Sequence, residues 1–448
     1  MIVMDNENRV KIGLRLAQTS RLKKPKSKKN PPAAVFALIF DIDGERLAER
    51  LREREMEVEE EEEVSAATES SSFNRVGLKN YVQTNFGDDY VFEIAPKEDW
   101  TSMAVSLSTN AVKFYSQASG QFLGECRGHS STINHISFGA SGPMEHILHS
   151  CSSDGTFRAW DTRTFQQVSC MNAGPSQEIF SFSFGGAADN LFAAGCKSQI
   201  IIWDWRTQKM VACLDESHME DVTQVRFIPG HQNKLLSASV DGLMCLFDTS
   251  GDINEDDHLA SVFNVGTSIG KVGFFGQRNE KLWCLTHIET LSVWDWKDER
   301  VEATFEDARS LASKNWNLDE VDYFVDCHYS VEGDRLWAVG GTNAGTLGYF
   351  PIDYNKNKGT YTMEAPEVVL QGGHEDVVRS VVPMSSRLSP GGGGISQNEG
   401  IFGWSGGEDG RLCCWLSDKS DSWKTSWITS TLVLKSPKPH LKKRHSPY

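Results

Sequence analysis

Through the middle of this chain apolar residues alternate with polar ones in short runs, the spacing of half-buried β-strands rather than of helices. Ile133 to Phe138 (INHISF) alternates in this way, and HILHSCSS, TFRAWD and QQVSCM follow it in order. Each run is rich in β-branched or aromatic residues and has a Gly, Asp or Asn turn beside it, which predicts a four-stranded antiparallel meander. No helix-period stretch of useful length is expected between residues 76 and 420.

One device closes three widely separated runs: SCSSDGTFRAW, SASVDGLMCLF and SGGEDGRLCCW. In each, a Ser stands four residues ahead of an Asp-Gly, and an apolar strand then closes on Trp160, Phe247 or Trp415. The Asp-Gly pairs at 154–155, 241–242 and 409–410 fall between two strands, where a tight hairpin needs positive φ. Aligned on the closing aromatic, degenerate copies end at Tyr115, Trp203, Trp294 and Phe350, so successive anchors lie 45, 43, 44, 47, 56 and 65 residues apart. The first four intervals match the roughly 40–45-residue period of a propeller blade. For the last two, Asp353 to Thr362 and Ser385 to Gly400 are expected to lengthen connections.

The predicted fold is therefore an all-β, seven-bladed propeller over residues 73–420. A disordered charged extension is expected at 1–72 and a basic tail at 421–448. The last unit shows three clear strands. Because an open blade edge invites aggregation, a strand near 78–84 (LKNYVQT) is expected to complete it.

Gly128-His129, then SSDG, then Trp160-Asp161 resembles the signature of the WD-repeat family, and the likeness covers roughly residues 76–418. It implies a network of His, turn Asp, strand Ser and Trp that orders each blade. His129, Asp154 and Trp160 fit it, as do His374, Asp409 and Trp415. His218 and Asp241 depart from it mildly, with Ser217 for Gly and Phe247 for Trp. Units three, five and six lack the turn Asp, and Gly230-His231 falls before a second strand rather than a first. From Thr101 onward the chain is also similar to the subfamily of WD repeat-containing protein 89.

Two consecutive units carry W-D-x-R, at Trp160 to Arg163 and Trp203 to Arg206, with weaker copies FDTS at Phe247 and WDWK at Trp294. This resembles the motif by which some WD proteins dock the damaged-DNA-binding adaptor of cullin-RING ubiquitin ligases. It implies that Asp161, Arg163, Asp204 and Arg206 share one rim and contact the adaptor. The plainer alternative is a local ion pair at a strand end, worth about 0–1 kcal/mol.

Charge narrows the partners. The chain carries −16 overall; residues 1–72 hold 13 basic and 15 acidic residues, and the stretch from Lys435 holds five basic and none acidic, leaving −19 for 73–434. Such a surface repels phosphate backbones and favours basic proteins such as histones or ribosomal proteins, so direct nucleic-acid binding is not expected. RLKKPKSKK (21–29) and LKKRH (441–445) are basic clusters of the nuclear-localisation type, which predicts a nuclear or nucleocytoplasmic protein. Ser-Pro at Ser436 and Ser446 offers phosphorylation a way to weaken the second cluster. Leu47 to Glu63 is expected to form a short helix that frays when unbound.

Other chemistry finds little support. The ten cysteines show no C-x-x-C pair, so no metal site, disulfide frame or cofactor is expected. The first thirty residues are polar and basic, unlike a secretory signal, and the apolar run AAVFALIF (33–40) is far short of the roughly 20 residues that span a bilayer. A soluble, intracellular chain is expected. FDIDGE (40–45) resembles the nucleophile loop of haloacid-dehalogenase-like phosphatases, but Glu45 stands where a Thr is usual and no α/β domain surrounds it. GTSIG (266–270) lies between two strands rather than on a strand-to-helix turn, and Gly391 to Gly394 lacks the Lys-Ser/Thr of a phosphate loop. The readings that remain are a non-enzymatic interaction scaffold and a ubiquitin-ligase substrate receptor.

Overall fold

All seven anchor aromatics lie on the third strand of a blade in a seven-bladed β-propeller; blades 1 to 5 are separate four-stranded antiparallel sheets, and blades 6 and 7 join in one nine-stranded sheet. The computed structural model describes residues 74–416 apart from 84–88, 140–143, 187–189, 252, 254–257, 317–319, 332, 358 and 385–400. The expected helix at 47–63, the basic clusters, FDIDGE and the Gly391–Gly394 run all fall outside the described residues. Blades 1 to 6 span 91–127, 133–172, 179–214, 224–264, 269–305 and 323–370. Blade 7 takes 378–416 together with the strand Asn74–Gln83. Among the described residues no helix is long and apolar enough to cross a membrane.

Alternation along each strand places one set of side chains against the preceding blade and the other against the next. The core is accordingly divided into seven apolar clusters, one at each blade-to-blade interface. Between blades 2 and 3 it is rich in aromatics, with Phe157, Phe182, Phe184, Phe192 and Trp203 packed together beside Cys151, Met171 and Ile179. The buried strands Leu191–Cys196 and Ile200–Asp204 read as continuous apolar runs for this reason.

At the hub each first strand has no neighbour on its inner side, so its outward amides and carbonyls need other partners. A side chain from the adjacent blade supplies one at every interface. Glu93 accepts from the Ile136 amide at 2.8 Å, and Asn134 donates to the Ile179 carbonyl at 2.8 Å. Ser181 accepts from the Val225 amide at 2.9 Å, and Thr223 donates to the Ile269 carbonyl at 2.9 Å. Lys271 donates to the Val325 carbonyl at 2.7 Å, and Tyr323 accepts from the Val378 amide at 2.7 Å. Ser380 accepts from the Ile94 amide at 3.1 Å, which returns the series to blade 1.

The ring also closes through blade 7. Gly77 to Gln83 pair antiparallel with Leu416 to Arg411, while Asn74 to Val76 run parallel to Val368–Leu370 of blade 6. Trp404 of blade 7 donates to the Gln117 carbonyl of blade 1 at 3.1 Å.

Two departures from the sequence expectation concern insertions. The extra residues between Trp294 and Phe350 lie in the connection 306–322, which holds the helix Ala308–Asn315 where none was expected. Its apolar face is short: Ala308 and Ala312, one turn apart, lie buried with Trp316 in the cluster between blades 5 and 6. Eight residues are too few to stand out as a 3.6 period, and the helix is held by that packing rather than by propensity. The segment Asp353 to Thr362, expected to lengthen a connection, instead extends the sheet. Ile352 to Asn355 pair with Met363 to Thr360, while Leu347 to Tyr349 pair with Leu370 to Val368, so the fourth position of blade 6 is filled by two short strands.

His149 sits within the aromatic interface of blades 2 and 3, stacked on Phe157 (5.5 Å between ring centres) and edge-on to Trp205 (5.2 Å). Burial pushes its pKa down from 6.5 to about 3. The unfolded chain therefore takes up a proton that the native ring refuses. This site carries no penalty above pH 6.5, and stability is lost as pH falls below it. His149→Phe is expected to flatten the acid limb by about 2 kcal/mol between pH 7 and pH 5. Urea unfolding at the two pH values measures this; an unchanged difference would show that the ring does not limit acid stability.

Candidate functional site

The rim where fourth strands lead into first strands carries the His, Ser and Asp residues singled out in the sequence. In blade 2 the His129 Nδ1 lies 3.0 Å from Asp154 Oδ2 and its Nε2 lies 2.8 Å from Ser150 Oγ. Trp160 donates its indole N–H to the same Ser150 Oγ at 2.8 Å. The consistent assignment runs from Trp N–H to Ser oxygen, Ser O–H to His Nε2, and His Nδ1–H to the carboxylate, with a neutral imidazole. Burial lowers the His129 pKa against the pull of Asp154, which fits that assignment. For Asp154, burial acts upward but bonds from Thr156, the Ser130 amide and His129 outweigh it and hold the carboxyl at about 2.

Blade 7 repeats the arrangement, with His374 3.0 Å from Asp409, 2.8 Å from Ser405, and Trp415 donating to Ser405 at 2.7 Å. In blade 4 His218 joins Asp241 at 3.0 Å and Ser237 at 2.7 Å. Phe247 offers no N–H there. The three Asp residues also cap the turns that follow, accepting from Thr156, Leu243 and Arg411 amides, while Gly155, Gly242 and Gly410 take positive φ. The histidine, serine and aspartate side chains are thus fully occupied in joining strand to loop. A serine, histidine and aspartate in line do not make a nucleophile here, because the Ser oxygen is buried at the blade's centre with no space for a substrate.

The opposite rim carries the turns between third and fourth strands, and with them both W-D-x-R segments. Blades 2 and 3 are adjacent at this level, since Gln208 donates to Ser169 at 3.1 Å. The four residues expected to act alike do not. Arg163 folds back on Asp161 through two bonds, at 3.0 and 2.6 Å. That contact holds the half-buried Asp161 carboxyl well below the usual range. Asp204 instead accepts from Asn190 at 3.1 Å and from the Thr207 amide at 2.9 Å. The Arg206 side chain is exposed, and among the described residues its guanidinium makes no hydrogen bond or ion pair, only its backbone amide bonding Asp204.

The second strand explains the difference. Asp248 and Asp295 occupy the same turn position in blades 4 and 5, where Lys234 and Lys281 reach them across the sheet at 3.1 and 2.8 Å. In blade 3 the residue paired with Asp204 is the apolar Leu191, and Asn190, just ahead of that strand, bonds the carboxylate instead. In blade 2 Asp161 faces Ile147, which has nothing to donate, and His146, in the place of Asn190, is taken by Glu145, so Arg163 bonds Asp161. No sequence motif signals this, because the deciding residue lies outside the motif, at the head of another strand. Among the described residues no group of three or more His, Cys, Asp or Glu side chains could hold a metal ion, and all ten cysteines are free.

Ser150 serves two partners and Ser237 lacks the indole, so their truncation should cost different amounts. Ser150→Ala strands a buried imidazole nitrogen and an indole N–H, and is expected to destabilise by about 2–4 kcal/mol. Ser237→Ala, with no indole to strand, is expected to cost about 1–2 kcal/mol. Equal losses in denaturant titrations would mean that the tryptophan bond adds nothing.

A sequence profile of the WD domain, G-beta repeat family matches residues 120–161. The chain is 60% identical over 387 residues to WD repeat-containing protein GTS1 of Arabidopsis thaliana, covering 86% of this chain and 96% of that protein. It is 33% identical over 302 residues to the WD repeat-containing protein 89 homolog of Dictyostelium discoideum, covering 66% of this chain and 78% of that one. With seven blades, the histidine-to-tryptophan networks and relatives matched over most of their length, this chain belongs to the WD-repeat family of β-propeller proteins, which generally serve as protein-interaction scaffolds.

Proposed function

We propose that this protein is a non-enzymatic scaffold whose network-bearing rim gathers basic protein partners. The observation that carries the reading is the charge of the connections on that rim. Asp215, Glu216 and Glu220 precede blade 4; Glu306, Asp307 and Glu320 precede blade 6; Glu375 and Asp376 precede blade 7. All eight are exposed, against Lys197, Arg309 and Lys314 as exposed cations in the neighbouring loops. Met219, 84% exposed among the blade 4 carboxylates, adds an apolar anchor of the kind interfaces use. Loops set on a rigid ring can differ in sequence without disturbing the blades, so they suit recognition. The basic clusters at 21–29 and 441–445 favour a nuclear setting, where basic partners such as histones and ribosomal proteins occur.

A second reading, a substrate receptor of a cullin-RING ligase, draws on Arg206. An unpaired guanidinium on a rim is available to bond a partner's acceptors in a planar fork. Arg163, already committed to Asp161, is the weaker contributor.

Charge reversal separates these readings. Glu216→Lys/Glu220→Lys/Glu375→Lys is expected to weaken binding of a lysine-rich histone-tail peptide by about tenfold or more at low salt, with the difference shrinking as salt rises. Titration by fluorescence anisotropy tests this, and unchanged affinity would remove the acidic-rim reading. Arg206→Ala is expected to leave that affinity intact. If the variant also loses co-purification of the ligase adaptor while Arg163→Ala keeps it, the receptor reading stands; if wild type recovers no adaptor, it falls.

A further inference from the structure

Charge is unevenly placed around the outer edge of the ring. Each blade ends in a turn and a fourth strand, and these segments can be compared directly. Residues 162–172 of blade 2 hold one basic residue, Arg163, and no acid; residues 205–214 of blade 3 hold two, Arg206 and Lys209, and no acid, giving +3 together. In the sequence, residues 249–264 hold Asp252, Glu255, Asp256 and Asp257 and no Lys or Arg, giving −4, with those four outside the described residues. The matching segments of blades 5 and 6 (296–305 and 353–370) each hold two basic and three acidic residues, giving −1. In a chain of net charge −16, blades 2 and 3 therefore carry an acid-free strip between neighbours that are neutral or acidic.

The strip is also apolar and open along its edge. Val168, Met210 and Val211 are 56%, 55% and 44% exposed. Gln166–Asn172 and Lys209–Leu214 are the terminal strands of their sheets, each with one edge unpaired in the ladder. Folded proteins guard such edges with charge. Blade 1 does so with Glu125 and Arg127, and blade 5 with Arg300 and Glu302. Gln166–Asn172 has no charged residue and Lys209–Leu214 has one. Two other edges have a different answer. In blade 4 Leu259–Asn264 is uncharged, but Glu299 of blade 5 bonds Ser261. In blade 7 the acid-free Asn74–Gln83 is covered over Asn74 to Val76 by blade 6.

We propose that the outer edge of blade 3, with the adjoining surface of blade 2, receives an extended acidic segment of a partner protein, which adds to Lys209–Leu214 as a fifth strand. Strand addition uses the unpaired amides and carbonyls for affinity and alternate side-chain contacts for specificity. Met210, Val211 and Val168 supply the apolar contacts, while Arg206 and Lys209 meet the segment's carboxylates. The Gln208–Ser169 bond ties the two blades together beneath it. The partner is opposite in charge to the one drawn to the acidic rim, so one propeller holds a basic and an acidic protein on separate surfaces. The inference stands independently of the acidic-rim reading, because it uses none of the same residues.

The test uses the full chain and a short fluorescent peptide alternating Glu with Val. Met210→Glu and Lys209→Glu are each expected to weaken its binding by about tenfold or more. On saturation the amides of 209–214 should exchange more slowly with solvent. Thermal unfolding of both variants checks that the blade is intact; Lys209, exposed at the strand's start, provides the measurement if Met210→Glu does not fold. The matching peptide alternating Lys with Val should leave those amides unprotected. The proposal is overturned if the acidic peptide does not bind, if folded variants bind it as well as wild type, or if protection falls on another blade. The Glu216→Lys/Glu220→Lys/Glu375→Lys variant should bind the acidic peptide at least as well as wild type; a loss there would place the peptide on the network rim and overturn the proposal too.

Discussion

The ring depends on satisfying the inner strands. A blade is a four-stranded sheet with two edges, and at the hub seven edges meet where no further strand fits. Leaving their amides and carbonyls unpartnered away from bulk water would cost about 1–3 kcal/mol each. The protein places a polar side chain at each of the seven interfaces, and the residue types differ: Glu93, Asn134, Ser181, Thr223, Lys271, Tyr323 and Ser380. The requirement is a donor or acceptor of the right reach, so no single residue type is imposed. Once these clasps fix the angle between blades, the apolar clusters outside them can pack.

The polar networks of blades 2, 4 and 7 solve a related problem farther out. There a loop must be held over the end of a sheet, and a buried imidazole bridges the serine of one strand and the aspartate of a turn. Blades 3, 5 and 6 lack the turn aspartate and rely on packing, most visibly in the aromatic interface of blade 3 and in Trp316 beside blade 6. The loops raised on this frame are where charge accumulates, because their side chains are not needed for the fold. Acid gathers on one rim, and an acid-free apolar strip lies along two outer strands, so recognition can be divided among surfaces that share a rigid support.

Much of this architecture was legible in the chain, and for a specific reason. Repetition makes local patterns redundant: a Ser four residues before Asp-Gly and an aromatic six residues after the Asp mark strand, turn and strand together, and the mark recurs. The third strands and the loop histidines could be placed from it. The helix Ala308–Asn315 was not legible, since two alanines one turn apart make too faint a stripe. The same holds for the two short strands that share the fourth position of blade 6, where pairing is decided by a partner strand and not by the segment's own alternation.

The W-D-x-R segments show the limit most clearly. Sequence alone determined the strand periodicity, the number of blades, the turn chemistry and the net charge, because each follows from residues close together in the chain or from a sum over all of them. Only the tertiary structure decided that Arg163 is spent on Asp161 while the Arg206 guanidinium is not spent on Asp204, since Asn190 reaches Asp204 from the head of the neighbouring strand whereas His146, in the same place in blade 2, bonds Glu145. It likewise decided that the closing strand begins at Asn74 and that its first three residues run parallel to Val368–Leu370 of blade 6. Local periodicity is short-ranged, whereas the partner of a charge or of a sheet edge is set by which surfaces the folded chain brings within bonding distance.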